Sequence, residues 1–117
     1  MKARIIPVSV FLLFIYLLPF KVFSQNYYLD QANAAIKQQD FDKALEYLNQ
    51  EISEHEKNGM AYYYRALLYW NKWEENAKAL RDVNLALDYL SKKEKPQKAR
   101  AYQLRGEIYL EIGRAHV

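Results

Sequence analysis

Few side chains in this 117-residue chain have the type and spacing that chemistry requires. His55 lies in the polar stretch Glu54-His55-Glu56-Lys57, a composition typical of a solvated surface segment. Ser53 is close by, but a nucleophilic serine needs a base that is itself oriented by a carboxylate, and the sequence indicates no such arrangement. The second histidine, His116, lies next to the C-terminus. We therefore predict no hydrolytic or acyl-transfer centre.

The acidic residues do not indicate a shared site either. Glu74 and Glu75 are adjacent, and neighbouring residues on a helix point in different directions. Asp40-Phe41-Asp42 alternates acids but lacks the glycine and the later glutamate of a calcium loop. The chain has no glycine-rich phosphate loop and no cysteine, so disulfides and cysteine-ligated metals are excluded. We predict a protein that is not an enzyme and carries no metal or cofactor.

The charge distribution disfavours nucleic acid as a partner. The sequence pI is about 9.0. However, Lys2, Arg4 and Lys21 account for three of the 17 basic residues, and the remaining 14 match the 14 acidic residues. Beyond residue 24 the chain is therefore neutral overall, which is unlike a domain that binds nucleic acid through a basic surface.

The first 24 residues have the layout of a secretory signal peptide. Lys2 and Arg4 precede an uncharged run of 16 residues, Ile5 to Phe20, and Ser24 is the small residue before the expected cleavage site. As a helix this run would span about 24 Å, less than the roughly 30 Å of a bilayer core. We expect export to the periplasm or cell envelope of a bacterium. An uncleaved N-terminal anchor is the alternative, and it would be the chain's only link to a membrane.

Five amphipathic helices are predicted after residue 26, because apolar residues recur there at intervals of three and four. Asp40 is a suitable N-cap for the second helix, and Pro96 suits the first turn of the fifth. The fourth helix is predicted over Ala77–Leu90 and the fifth over Ala99–Leu110. The first two helices carry the apolar residues Leu29, Ala32, Ala35, Ile36, Phe41, Ala44, Leu45, Leu48 and Ile52.

A sequence pattern recurs along these helices. Its first half is Tyr62-x-x-Arg65-Ala66-x-x-Tyr69, then Tyr102-x-x-Arg105-Gly106-x-x-Tyr109, and more weakly Tyr28-x-x-Gln31-Ala32-x-x-Ala35. Its second half is Ala44-x-x-x-Leu48 and Ala79-x-x-x-Val83. The pattern resembles the tetratricopeptide repeat, whose period of 34 residues separates Ala32 from Ala66. The separation of Ala66 from Gly106 is 40, and the family's proline near the repeat end is missing.

The resemblance implies an all-α protein built as an α-solenoid of antiparallel helix pairs. About two and a half units are expected within residues 25–111, at about 26–58, 59–93 and 96–111, the last one incomplete. Small side chains are expected where paired helices approach closely. The expected structural positions are Ala32, Ala44, Ala66, Tyr69, Ala79, Gly106 and Tyr109. A generic amphipathic helical bundle is the alternative interpretation.

The resemblance also implies a concave groove, lined by the first helix of each unit, that binds an extended segment of an unknown partner protein. The residues expected to line or flank it are Asn33, Ile36, Lys37, Tyr63, Leu67, Trp70, Asn71, Gln103 and Glu107. Leu67 and Trp70 could instead face the neighbouring repeat. Family members that clamp a C-terminal carboxylate use basic residues and asparagines at positions occupied in this chain by Leu29, Asn33, Leu67, Gln103 and Glu107, so that subtype is not expected.

The final residues, 112–117, look foreign to the repeat. Their sequence, Ile-Gly-Arg-Ala-His-Val, equals one translation frame of a common short-read sequencing adapter. We therefore expect that residues 112–117 are adapter read-through and that the gene was cut short near residue 111. The alternative is a genuine C-terminus, in which Gly113 falls where a repeat turn would place a glycine. We expect a protein–protein interaction scaffold of the cell envelope, with self-association as a further possibility. The alternative is the N-terminal sensor or scaffold part of a longer envelope protein involved in signalling or peptidoglycan binding.

Overall fold

The computed structural model describes residues 26–115, and within this range the chain is entirely helical. The predictions for residues 1–24 and for His116 lie outside the described residues. No described helix is both long enough and apolar enough to cross a membrane. The helices are α1 (Tyr27–Lys37), α2 (Phe41–Glu54), α3 (Gly59–Asn71), α4 (Asn76–Tyr89) and α5 (Lys95–Ala115). The predicted all-α class is thus confirmed for the described part of the chain.

The turns within the first two helix pairs have the same backbone conformation at an interval of 35 residues. Gln39 and Glu74 both adopt the left-handed region, with φ of 61° and 53°. The next residue occupies the N-cap position of the following helix in each case, with φ and ψ of −90° and 78° at Asp40 and −88° and 72° at Glu75, although the Glu75 side chain makes no capping hydrogen bond. The Asp40 side chain accepts a hydrogen bond of 3.2 Å from the backbone N–H of Lys43, which confirms the predicted N-cap.

The predicted boundaries are wrong mainly for the last helix. α4 begins one residue earlier than predicted and ends one residue earlier. α5 extends well beyond the predicted Ala99–Leu110 in both directions, with Pro96 in its first turn as expected. At its C-terminal end Ile112 packs against the apolar core, and this packing favours continuation of the helix through Gly113.

Two apolar clusters hold the helices together, and α3 contributes to both. The first joins α1 and α2 to α3 through Ala32, Ala35, Ala44, Leu48, Ala61 and Leu68. The second joins α3, α4 and α5 through Tyr62, Ala66, Ala79, Val83, Ala86, Leu87, Leu90, Ala101, Leu104 and Ile108. Because α3 contacts α2, α4 and α5, it is the element that fixes the relative positions of the two clusters.

The structure distinguishes among the positions predicted to lie at close helix contacts. Ala32, Ala44, Ala66 and Ala79 are fully buried, and Tyr69 is partly buried against the second cluster. At Gly106 a Cβ atom would have no neighbour within 4 Å, so the expected close approach is absent there. No described helix covers that face of α5, which also leaves Tyr109 exposed.

The glycine that does permit a close approach is Gly59, at the start of α3. A Cβ atom there would lie 2.8 Å from Cγ and 2.9 Å from the backbone nitrogen of Leu90. Such distances are shorter than van der Waals contact allows, so the end of α4 can approach α3 only because residue 59 lacks a side chain.

Candidate functional site

A cleft of about 200 Å³ opens between α1 and α3. The first residue of α2, Phe41, and the residue that follows α3, Lys72, complete its wall. Its lining is mostly apolar, with two asparagine amides. The lining residues are Asn33, Ile36, Phe41, Tyr64, Leu67, Leu68, Asn71 and Lys72.

Four of the predicted groove residues meet in this cleft: Asn33, Ile36, Leu67 and Asn71. The first two come from α1 and the last two from α3, so residues more than 30 positions apart in the sequence share one surface. Leu67 also packs against the second apolar cluster. Leu67 therefore both lines the cleft and packs against neighbouring helices, so both interpretations of this residue apply.

The other predicted groove residues lie outside the cleft. Lys37 is exposed at the end of α1, next to the cleft residue Ile36. Tyr63 and Trp70 are partly buried against the second apolar cluster, so they contribute packing between helices. On α5, the Gln103 amide donates a hydrogen bond of 3.2 Å to Glu107, its neighbour one turn further along.

Tyr63 connects α3 electrostatically to α5. Burial raises the pKa of its hydroxyl above the usual value of about 10, and the nearby Arg100 guanidinium acts in the opposite direction. The negative charge of Glu107 on α5 also raises this pKa. The predicted groove thus divides into a cleft between α1 and α3 and a polar surface between α3 and α5.

Phe41, Tyr64, Leu68 and Lys72 line the cleft although they were not among the predicted groove residues. The ammonium of Lys72 lies 4.1 Å from the centre of the Phe41 ring, a cation–π contact that connects the end of α3 to the start of α2. The sequence signal for Phe41 is its position directly after the Asp40 N-cap, which orients the first turn of α2. Lys72 follows the end of α3, where periodicity gives no information.

The side chains of the cleft suit the binding of an extended peptide. An apolar floor can accept an aliphatic or aromatic side chain, and the Asn33 and Asn71 amides can donate to and accept from a peptide backbone. Lys72 places a positive charge in its wall. Residues 26–115 contain no group of three or more histidine, aspartate or glutamate side chains suited to a metal ion.

A buried ion pair joins α3, which forms one wall of the cleft, to α4. The Arg65 guanidinium donates from Nε to Oδ2 of Asp82 at 2.7 Å and from Nη2 to Oδ1 at 2.9 Å. The Asp82 side chain is fully buried, and that of Arg65 is 14% exposed. Burial alone would lower the pKa of Arg65, but the hydrogen bonds and charge of Asp82 outweigh it and raise the pKa. The Arg65 guanidinium is therefore held in its charged form, and the pair joins α3 to α4.

Arg65 and Arg105 make the same contact with the preceding helix pair. Nη1 of Arg65 donates to Asn49 at 3.0 Å, and Nη1 of Arg105 donates to Asn84 at 3.1 Å. The two asparagines are 35 residues apart, the interval at which the turn conformation also recurs. Each guanidinium lies over the tyrosine three residues before it, at 5.6 Å for Tyr62 and 5.1 Å for Tyr102.

A larger cavity, of about 520 Å³, lies at the corner between α2 and α3. Among its lining residues is Glu51, which is only 1% exposed. One Glu51 oxygen accepts from Asn58 at 2.9 Å and lies 3.0 Å from Nδ1 of His55. Asn58 also caps α3 by accepting from the N–H of Met60. His55 is exposed, as expected, but its pairing with Glu51 shows that it helps to fix this corner.

The recurring sequence pattern is thus accompanied by a recurring turn conformation and by equivalent arginine–asparagine hydrogen bonds. No protein-family model matches the chain, and comparisons with curated proteins and with solved structures likewise find no match.

Proposed function

We propose that this chain is an exported scaffold of the tetratricopeptide type, an α-solenoid of antiparallel helix pairs that binds a partner protein without catalysing a reaction. The repeated turn at Gln39 and Glu74 supports the unit length, because two helix pairs built alike stack in a regular way. The equivalent bonds from Arg65 and Arg105 support the same relation between consecutive units.

The cleft between α1 and α3 is the observation that carries the proposal. Asn33 and Asn71 present amides on opposite walls, and Ile36 and Leu67 present apolar surface between them. A peptide in extended conformation has unpaired backbone groups along both edges and side chains that alternate in direction. It can therefore bond to both amides while one of its apolar side chains enters the cleft. We propose that such a segment of a partner protein is the ligand.

Peptide selection from a displayed random library tests this function. We expect selected peptides with a central apolar residue that bind saturably. Asn33→Ala and Asn71→Ala should each weaken binding about tenfold, which corresponds to about 1.4 kcal/mol, because each removes both a donor and an acceptor. Gln50→Ala is the matched control, since Gln50 is an exposed amide on α2 away from the cleft. Selected peptides that bind both asparagine variants as well as they bind the unmodified protein would count against the cleft.

We propose export through the N-terminal segment on the basis of its charge and apolar pattern. The test is N-terminal sequencing of the protein recovered from fractionated bacterial cells. A periplasmic protein that begins at Gln25 agrees with a cleaved signal peptide. A membrane-bound protein that still carries residues 1–24 indicates an uncleaved anchor instead.

A further inference from the structure

The cavity at the corner between α2 and α3 is lined by a buried carboxylate with one unpaired oxygen. Glu51 is almost fully buried, and its Oε1 atom accepts from Asn58 and faces Nδ1 of His55. Within residues 26–115 no partner lies within hydrogen-bond distance of the other oxygen, Oε2, which is buried as well. A buried acceptor without a donor is costly, so its presence in a folded protein needs an explanation. Oε2 is an acceptor position that a ligand can fill.

The internal repeat shows that packing does not require an acid at this position. Glu51 corresponds to Ala86 at the interval of 35 residues that also separates the two turns. His55 corresponds to Leu90 at the same interval. Ala86 and Leu90 are both buried in the second apolar cluster. The first unit thus has a carboxylate and an imidazole where the second unit has apolar side chains, and both of these polar residues line the cavity.

The cavity has the size and the charge to admit a cation. Its volume is about 520 Å³. Two carboxylates and one ammonium are among its lining residues, which are Asn26, Glu51, His55, Glu56, Lys57 and Asn58. The excess of negative charge favours a positively charged ligand. His55 is about half exposed, and exposed side chains change rotamer within nanoseconds, so movement of its ring can open a path to the Glu51 carboxylate.

The position of the free acceptor distinguishes between kinds of cation. A guanidinium binds a carboxylate best through two parallel hydrogen bonds, one to each oxygen, as Arg65 binds Asp82. At Glu51 the Oε1 atom is already bonded to Asn58, so only Oε2 is free. An ammonium is a compact point charge and needs only one oxygen of the carboxylate. The geometry therefore favours an ammonium over a guanidinium.

We propose that this cavity binds a primary ammonium group, which donates a hydrogen bond to Oε2 of Glu51 and pairs with the carboxylate charge. A lysine side chain of a partner protein and a free alkylamine both present this chemistry. The cavity shares no residue with the cleft between α1 and α3. It is therefore a second binding site, and its test is independent of the test of the cleft.

Small amines test this proposal on the full 117-residue chain. n-Butylammonium chloride is titrated into the isotopically labelled protein, and nuclear magnetic resonance follows the amide signals. We expect saturable shifts centred on residues 55–58 and on the side-chain amide of Asn58. n-Butyltrimethylammonium has the same charge but no N–H donor, and it should bind at least about tenfold more weakly. This comparison uses the unmodified protein, so it holds even if a substitution prevents folding.

Substitutions of Glu51 locate the site. Glu51→Gln keeps the shape of the side chain but removes its charge, and it should weaken n-butylammonium binding at least about tenfold. Glu51→Ala introduces the residue that the second unit has at the equivalent position, and it should abolish the saturable shifts. Glu46→Gln is the matched control, because Glu46 is an exposed carboxylate of α2 outside the cavity, and it should keep the affinity within about twofold. Circular dichroism checks that each variant folds.

The amide-capped lysine N-acetyl-lysine-N-methylamide distinguishes the two sources of the ammonium. Saturable binding of this probe at the same signals supports a lysine side chain, whereas binding of n-butylammonium alone supports a free alkylamine. The absence of saturable shifts with both probes would overturn the proposal. Equal affinity for n-butylammonium and its trimethyl analogue, or an affinity unchanged by Glu51→Gln, would also overturn it, because either result would mean that no hydrogen bond to the Glu51 carboxylate holds the cation.

Discussion

Arg65 and Asp82 form a bidentate ion pair in the interior of the protein, with N–O distances of 2.7 and 2.9 Å. The two residues lie 17 positions apart, one on α3 and one on α4. Two parallel hydrogen bonds between planar groups fix both distance and orientation, so this pair sets how α4 lies against α3. Since α3 also forms one wall of the cleft, the pair connects the stability of the fold to the geometry of the proposed binding site.

Removal of the buried carboxylate should be strongly destabilising. Asp82→Ala leaves the Arg65 guanidinium with a buried, uncompensated charge, and we expect a loss of about 3–5 kcal/mol in the free energy of unfolding. The measurement is urea denaturation followed by circular dichroism. Lys78→Ala is the control, because it breaks an ion pair of 2.6 Å with Glu75 in which both side chains are largely exposed. That variant should lose less than about 1 kcal/mol, and equal losses in the two variants would contradict a structural role for Asp82.

Enlargement of a buried small residue should weaken the packing of α3 on α4. Ala66 is fully buried, so Ala66→Leu forces side chains or helices apart and should reduce the free energy of unfolding by about 1–3 kcal/mol. Thermal denaturation measures the effect. The matched substitution Ala34→Leu introduces the same side chain at an exposed position of α1 and should leave the melting temperature nearly unchanged. A melting temperature of Ala66→Leu equal to that of the unmodified protein would argue against this helix pairing.

Substitution by alanine should change the free energy of unfolding in opposite directions at Gly59 and Gly106. Gly59→Ala places a Cβ atom 2.8 Å from Cγ of Leu90 and should be destabilising by about 1–3 kcal/mol. Gly106→Ala meets no neighbour and should stabilise α5 by roughly 0.5–1 kcal/mol, because alanine loses less backbone freedom in a helix. Denaturant titrations of the two variants give the comparison. Stabilisation by Gly59→Ala would show that the end of α4 does not approach α3 closely.

The contribution of Tyr62 to the free energy of unfolding should decrease at alkaline pH. Burial raises the pKa of its hydroxyl above the usual value of about 10, so the folded state holds this proton more tightly than the unfolded state. The resulting stabilisation is complete below about pH 10 and is lost as the pH rises through the pKa of the folded state. The hydroxyl also donates a hydrogen bond of 2.7 Å to the carbonyl of Glu56.

Tyr62→Phe should therefore cost about 1 kcal/mol at neutral pH, and this difference from the unmodified protein should shrink above about pH 10. Urea denaturation at neutral and at alkaline pH measures both effects. Tyr102→Phe removes a hydroxyl from an exposed ring and should change the stability at neutral pH by less than about 0.5 kcal/mol. A difference for Tyr62→Phe that grows with pH would contradict a raised pKa for the Tyr62 hydroxyl.

The helices could be predicted from the sequence because their periodicity is local. Asp40 and Pro96 marked helix starts, since capping and the missing N–H of proline act within one turn. The extent of α5 was not predicted in the same way: the helix runs from Lys95 to Ala115, and near its C-terminal end Ile112 packs against the second apolar cluster. A pattern of amino-acid types does not contain that contact.

Only part of the candidate site could be predicted from the sequence, again because contacts between distant residues are not visible in it. Asn33, Ile36, Leu67 and Asn71 follow from the register of the repeat, which places them on one side of α1 and α3. Asp82 stands among apolar residues and resembles an ordinary polar position of α4 until Arg65 is placed opposite it. Gly59 likewise becomes informative only when Leu90 is beside it.

The most direct test of the proposed scaffold is a nuclear magnetic resonance titration of the isotopically labelled protein with a library-selected peptide. The proposed site predicts saturable shifts of backbone and side-chain amide signals centred on Asn33, Ile36, Leu67 and Asn71, with little change in α2 beyond its first turn. Shifts confined to other surfaces, such as the corner around Glu51, would contradict a binding cleft between α1 and α3.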